Sequence, residues 1–384
     1  MNIGVIGVGR LGICFALLLE KAGHHVLAAD IRANYVATLN KKQIATSEPQ
    51  VADMLAASTN FVATTDTREV IKQNDIIYIM VATPSLADGS YDVSAVQRVV
   101  EDVKECDFDL TDKILVVGCT TNPGDCARIQ QELENRGVKV LYNPEFIAQG
   151  SIIRDLQQAD MVLIGGQDQA TMDQYALLYN DIQTTTPKIH TMSLTAAEIV
   201  KIGINCFLTT KISYANTLGQ VLIRSGLEAD VRRALTAVGA DTRVGSKYLQ
   251  FGFGFGGPCL PRDNRSFGHY ADKLGLKFNL GAIIDGFNRE HADFLFEHFV
   301  QANTENLPFY METISYKKNT DIFEESQQYR LCQDLLSAGH TVYVEPNDLT
   351  PAAISDDLIK RYPNQVKFVP LQQIQESVFQ IGFK

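Results

Sequence analysis

The chain has 384 residues, 45% of them hydrophobic and 21% charged, a composition that supports globular folding with two or three domains. Its net charge of −11 excludes nucleic acid as a natural partner, since a phosphate backbone needs a basic surface, but leaves room for a small anion held by loops and helix N-termini. No stretch is apolar for the length of a membrane span, and seven cysteines without a CxxC pair point to reduced thiols in a cytoplasmic setting, not to disulfides or zinc.

The apolar opening Met1–Val8 has no basic leader and runs into a glycine turn, so it reads as a first strand over Asn2–Ile6. Further strands are expected at His25–Ala29, Phe61–Ala63, Asp75–Val81, Lys113–Val117, Val138–Tyr142 and Met161–Ile164. Segments between them, such as Leu11–Ala22 and Ala95–Glu105, have helical spacing. This alternation predicts an α/β domain over residues 1–192, a Rossmann-type, parallel, doubly wound sheet with helices on both faces.

Near Ser193 the pattern changes. From Thr195 to about Ser225 there is no proline, and apolar residues fall on more than one face, with Thr195 and Glu198 spaced as a capping box at the start. Such a helix is about 45 Å long and needs partners on several sides, so a linking helix that also packs against a second subunit is expected. After a glycine-rich break over Gly239–Pro261, helical spacing returns in His269–Ala302. Residues 193–302 therefore read as a central helical domain that carries the dimer contact. Residues 303–384 read as a smaller α/β domain, with strands at Tyr310–Tyr316, His340–Val344 and Val366–Val369 and a helix at Ser326–Ala338. The seven histidines show neither HxxxH nor HxH spacing, and no metal site is expected.

Gly7-Val8-Gly9-Arg10-Leu11-Gly12 follows the first strand and opens a helix. Gly7 permits the tight turn, Gly9 lets backbone approach a pyrophosphate, and Gly12 lets helix and strand pack closely. The second strand ends at Asp30, eighteen residues past Gly12, where a carboxylate can bond the adenine ribose and repel a 2′-phosphate. NAD is the expected cofactor, with Arg32 a stacking or solvent residue.

A second glycine cluster runs Phe251-Gly252-Phe253-Gly254-Phe255-Gly256-Gly257-Pro258-Cys259-Leu260-Pro261-Arg262-Asp263. Glycine is an entropically poor core material, and the cluster makes sense where backbone N–H groups approach a ligand. Cys259 falls at a loop-to-helix junction, where a helix N-terminus favours thiolate, and Asp263 lies one turn on. On these residues alone, a structural turn around a buried cysteine and a nucleophile loop are both open. The Phe251, Phe253, Phe255 alternation reads as loop packing.

The cysteine loop resembles the GFGGxCxxKD signature of the nucleotide-sugar 6-dehydrogenases that act on UDP-glucose, UDP-N-acetylmannosamine or GDP-mannose. Five more segments resemble that family's motifs in its order: Val81–Ser85, Thr120–Gly124, Asn143–Ile147, Ala197–Asn205 and Asp241–Gly245. The resemblance implies a four-electron oxidation of a primary alcohol to a carboxylate, with NAD as oxidant and a nucleotide sugar as substrate. It implies catalytic roles for Cys259, Lys201, Asn205, Asp263, Glu145 and Thr121, with Glu145 as water-activating base and Thr121 holding that water. Thr83, Pro84 and Thr121 join the glycine loop at the cofactor. The substrate site implied comprises Glu145, Phe146, Ile147, Gln149, Lys201, Asn205, Phe253, Gly256 and Lys317, with Arg243 reaching into a neighbouring subunit.

Two departures stand out. Gln149 replaces a second family glutamate, and Glu324 stands where the family has an arginine for the diphosphate, which a carboxylate would repel. Two other classes share parts of the pattern: a dinucleotide-binding regulatory homologue without turnover, and a two-electron β-hydroxyacid-type dehydrogenase that has no need of Cys259.

Overall fold

Strands β1 (Asn2–Ile6), β2 (His25–Ala29), β3 (Phe61–Thr64), β4 (Ile76–Ile79), β5 (Ile114–Val117), β6 (Lys139–Tyr142), β7 (Met161–Gly165) and β8 (Lys188–Met192) form one sheet in the order 3-2-1-4-5-6-7-8. The computed structural model describes every residue except Ala148, Gln149, Asn319 and Lys384. β1, β4, β5 and β6 are buried along nearly their whole length, as strands covered by helices on both faces must be. Two apolar cores flank this sheet: one holds Phe15, Leu17 and Tyr78, the other Val100, Ile129 and Leu163.

The sheet departs from the all-parallel expectation at one place. β7 pairs with β6 antiparallel, through Tyr142 and Gly165, while β7 and β8 are parallel to each other. The connection explains this: among its described residues the one helix, Ile152–Gln157, has six residues and rises about 9 Å, too little to carry the chain back to the amino ends of the strands. β8 was not expected. It is an edge strand with an exposed Lys-Ile-His start and so has no apolar alternation to betray it.

The chain divides into two units, Met1–Ile202 and Gly203–Lys384, and the helix Leu194–Arg224 runs across the boundary. In the second unit, β9 (Phe309–Met311), β10 (Val342–Val344), β11 (Val366–Phe368) and β12 (Phe379–Gln380) form an all-parallel sheet in the order 11-10-9-12. β9 is shorter than the expected Tyr310–Tyr316, and β12, two residues long, had no sequence signal. A sheet this small cannot bury enough apolar surface alone. It shares one core with the helix Leu280–Ala302, where Phe294, Leu295 and Phe299 pack with Phe309, Leu331 and Val342.

Among the described residues, no helix is long and apolar enough to cross a membrane, and no cluster of His, Cys, Asp and Glu is placed to hold a metal.

Candidate active site

Topology gathers the first set of candidates. β1, β4, β5 and β6 are adjacent and parallel, so the segments leaving their carboxyl ends share one edge of the first unit. Gly7–Gly12 leaves β1, Thr83 and Pro84 follow β4, Thr121 follows β5, and Glu145, Phe146 and Ile147 follow β6. Chain order reverses between β1 and β4, the switch point at which open α/β sheets bind ligands.

The glycine loop shows three different constraints. Gly7 has φ +93°, and a Cβ there would meet the Met80 carbonyl oxygen at 2.7 Å. A Cβ on Gly12 would sit 2.0 Å from the Gly7 carbonyl oxygen. At Gly9 nothing lies within 4 Å of the Cβ position, so no protein atom demands glycine there. That open space, beside Val8 and the N-terminal turn Arg10–Leu11 of the helix Arg10–Lys21, fits a pyrophosphate approaching the backbone.

Asp30 follows β2 and is nearly buried. Arg32 grips it, with Nε 2.8 Å from Oδ1 and Nη2 2.8 Å from Oδ2, and lies over the Tyr35 ring at 4.1 Å. Burial works against the ionised carboxyl, but the Arg32 bonds outweigh it and hold Asp30 below the usual carboxylate range. Arg32 is therefore more than a stacking residue: its bonds offset the burial that disfavours the Asp30 carboxylate. Thr83 is buried, and the Pro84 carbonyl accepts from Asp92 N at 2.8 Å, which pins the turn after β4.

After β6 the chain presents Glu145, half-buried. Burial pushes its carboxyl up to about 7, against the pull of the Lys201 ammonium and a hydrogen bond from the Tyr179 hydroxyl. Lys201 Nζ donates to the Glu145 carbonyl oxygen at 2.9 Å and lies 4.8 Å from the Phe146 ring centroid. Ile147 packs against the core next to the glycine loop's helix. Gln149 lies outside the described residues.

Thr121 is fully buried, and its hydroxyl donates to Glu198 Oε1 at 2.7 Å. The water-holding role expected of it has no exposed surface to act through. Glu198 also corrects the expected capping box with Thr195. Its carboxylate, with no solvent exposure, accepts from Cys126 N at 2.9 Å and Gly124 N at 2.7 Å, so it caps the helix Asp125–Leu133 instead of its own. A buried carboxylate takes the strongest donors available, and the free N–H groups of a neighbouring helix outcompete its own first turn.

The second set lies in the second unit. Cys259 is exposed and occupies the N-cap of the helix Leu260–Lys273, with Pro261 in the first turn. Asp263 N donates to the Cys259 carbonyl at 2.9 Å, and Asp263 Oδ2 accepts from Asn205 Nδ2 at 2.5 Å. Asp263 is buried, so Asn205 fixes its carboxylate. The other described cysteines are buried or half-buried, and burial pushes Cys14, Cys119, Cys206 and Cys332 up to about 12, where thiolate does not form at neutral pH.

The glycines before Cys259 have a different reason from the one expected. A Cβ on Gly254 would sit 2.0 Å from Asn288 Oδ1, on Gly256 2.4 Å from the Glu325 carbonyl oxygen, and on Gly257 2.6 Å from the Tyr316 ring. The close approach is to the protein's own chain. Asn288 pairs with both the N–H and the carbonyl of Phe255 at 2.9 Å, and Phe251 and Phe253 meet Phe383 edge-on, so the phenylalanine alternation is loop packing. Glu324, exposed, accepts from Gly257 N through its carbonyl at 3.1 Å. Lys317 is exposed, and its carbonyl is bonded by the Ser315 and Thr320 hydroxyls at 2.8 Å. The Arg243 side chain is 88% exposed and paired with Asp241 at 2.7 Å.

Sequence reasoning missed Tyr179, whose hydroxyl reaches Glu145 Oε1 at 3.4 Å, because it lies in no motif, and gave no role to Asn143, which opens the Asn143–Ile147 segment and bonds Tyr179.

Residues 1–183 match the NAD-binding domain of the UDP-glucose/GDP-mannose dehydrogenase family, and residues 195–290 match its central domain. A UDP-glucose 6-dehydrogenase of Bacillus subtilis is 30% identical over 338 residues, covering 85% of this chain and 75% of that protein. The solved UDP-glucose dehydrogenase of the archaeon Pyrobaculum islandicum superposes with a TM-score of 0.81 at 26% identity, over 97% of this chain and 86% of that one. A UDP-D-ManNAc dehydrogenase of Pyrococcus horikoshii shares the fold at a TM-score of 0.76 and 23% identity, over 90% and 83% of the two chains.

Proposed function

Because this chain belongs to the UDP-glucose/GDP-mannose dehydrogenase family and carries its NAD-binding domain, we propose that it oxidises the C6 primary alcohol of UDP-glucose to the carboxylate through a covalent bond to Cys259. The observation that carries this reading is the placement of Cys259: an exposed thiol at a helix N-cap, one turn before an Asp263 fixed by Asn205. A thiol used for packing is buried, as most of the other cysteines are.

NAD, when bound, accepts the hydrides, and Gly7–Gly12 with Asp30 would hold it. The chain's own side chains do the rest. Lys201 and Asn205 sit four residues apart on one helix, so they project from one face and can bond the reacting oxygen as it gains negative charge. The Cys259 sulfur adds to the C6 aldehyde, giving a thiohemiacetal, and oxidation of that adduct leaves a thioester. Water then breaks the thioester. Glu145, with its carboxyl raised to about 7, takes the water's proton, and Cys259 leaves as thiolate. Thr121, buried under Glu198, supports this site by fixing the turn after β5.

Phe146, Ile147, Phe253, Gly256 and Lys317 are the proposed sugar and nucleotide contacts, Lys317 supplying positive charge that Glu324 does not. The enzyme is proposed to be a homodimer. Phe207, Tyr214 and Val221 recur every seven residues on the long helix and are 64%, 54% and 56% exposed, an apolar stripe suited to a second copy. Arg243 would then serve the partner's site.

The relatives named for UDP-glucose support that substrate. In a panel of UDP-glucose, UDP-N-acetylmannosamine and GDP-mannose, kcat/KM is expected to favour UDP-glucose by at least about tenfold, equivalent to ~1.4 kcal/mol of transition-state binding. Faster turnover of GDP-mannose would reverse the assignment of the base.

A further inference from the structure

Behind Glu145 lies a chain of buried hydroxyls that the reaction scheme does not use. Asn143, at the end of β6, is locked: its backbone N donates to Val117 O at 3.0 Å and its Nδ2 to Leu163 O at 2.9 Å. That second bond fixes the amide orientation, so Oδ1 must be the acceptor on the other side. It accepts from Tyr175 OH at 2.6 Å and, through a short contact, from Tyr179 OH. Tyr175 OH is also 2.7 Å from Tyr78 OH. Tyr179 OH is in addition 3.4 Å from Glu145 Oε1. All three phenols are buried in the core of the first unit.

Counting protons gives the consequence. Each phenol has one. Tyr175 has two acceptors in reach, Tyr78 OH and Asn143 Oδ1, and gives its proton to one at a time. Tyr179 has two acceptors in reach, Asn143 Oδ1 and Glu145 Oε1, and can satisfy one at a time. When its proton is on Asn143, a lone pair faces Glu145, which suits a protonated carboxyl that donates to it. When Glu145 ionises, the proton serves better on the carboxylate, because a hydrogen bond to a charged oxygen is about twice as strong as a neutral one. Both arrangements leave the Tyr179 hydroxyl bonded.

We propose that Tyr179 is the positioning residue for Glu145: its single phenolic proton bonds Asn143 while Glu145 is neutral and turns to Glu145 when it is ionised. The carboxyl can then take and release a proton in a partly buried setting while keeping Tyr179 as its partner. The other groups facing Glu145 among the described residues are the Lys201 ammonium, from the long helix, and the more distant phenols of Tyr175 and Tyr78. Among these groups, only Tyr179 changes its acceptor as Glu145 titrates. This inference rests on the reading of Glu145 as the base.

Two variants separate the roles. Tyr179→Phe removes the hydroxyl that reaches Glu145, and Tyr175→Phe removes an equally buried hydroxyl that bonds Asn143 but not Glu145. The ionisation of Glu145 is followed directly in the full-length enzyme, as the carboxyl stretching band lost in an infrared difference spectrum against Glu145→Gln, across pH. Tyr179→Phe is expected to raise the midpoint by about half a unit or more, since the ionised form loses the stronger bond. Tyr175→Phe is expected to raise it less, since it removes no bond to Glu145 and only leaves Asn143 Oδ1 dependent on Tyr179. An unchanged midpoint in Tyr179→Phe, or an equal rise in Tyr175→Phe, overturns the proposal. The acid limb of kcat should move with the midpoint. If the midpoint rises in Tyr179→Phe and the limb stays, Tyr179 positions Glu145 but Glu145 is not the base.

Discussion

Cys259→Ser is expected to lower carboxylate formation by about 10³-fold or more while NAD affinity stays within about twofold of the parent value. Serine fills the same exposed N-cap position and is a favoured residue there, so the fold should be unaffected. The chemistry is not equivalent. A thiol beside a helix N-terminus ionises readily, whereas a serine hydroxyl needs a base to take its proton. Asp263, the nearest carboxylate in the chain, has its oxygen bonded by Asn205 Nδ2 at 2.5 Å and is placed to orient, not to deprotonate. The glycine loop and Asp30 belong to the other unit, so the dinucleotide should still bind. Chromatographic product analysis and an NAD titration check the two halves. Turnover within tenfold of the parent would remove Cys259 from the mechanism.

Glu145→Gln is expected to separate formation of the covalent adduct from its hydrolysis. The amide is nearly isosteric but cannot take a proton from water, so the rate should fall by about 10²- to 10³-fold. The thioester should then accumulate on Cys259, where intact-protein mass spectrometry would detect the added nucleotide-sugar mass. The parent's pH profile follows from the same residue. A base works ionised, and Glu145 has its carboxyl raised to about 7, so kcat should drop as pH falls through 7 and approach a tenfold loss per unit below it. In Glu145→Gln that limb should vanish. A Gln variant with no adduct and an unchanged limb would assign the base elsewhere.

Much of this was legible in the sequence where burial on two faces imposed a continuous apolar run. β1 and β2 have the expected bounds, and the long helix begins and ends within one residue of its predicted limits. The expectation failed where tertiary partners decide. β8 is an edge strand with polar residues, so no periodicity marks it. Glu198 sat three residues from Thr195, and only the fold reveals that a neighbouring helix end claims it. The glycines of the cysteine loop were visible, but the reason for them was not: Asn288, Tyr316 and Glu325 press on them from 34 to 69 positions downstream. Tyr179 illustrates the general limit. A tyrosine in a helical stretch signals core, and its function depends on which carboxylate the fold brings to its hydroxyl.

The central claim is that one substrate molecule is oxidised twice in one site, the second time as an adduct of Cys259. Its most direct test is to count NADH formed per molecule of UDP-glucose consumed, with substrate limiting and NAD in excess. Two NADH per UDP-glucose, with UDP-glucuronate as the product, is the expected result. One NADH per UDP-glucose, with the aldehyde released, would contradict it.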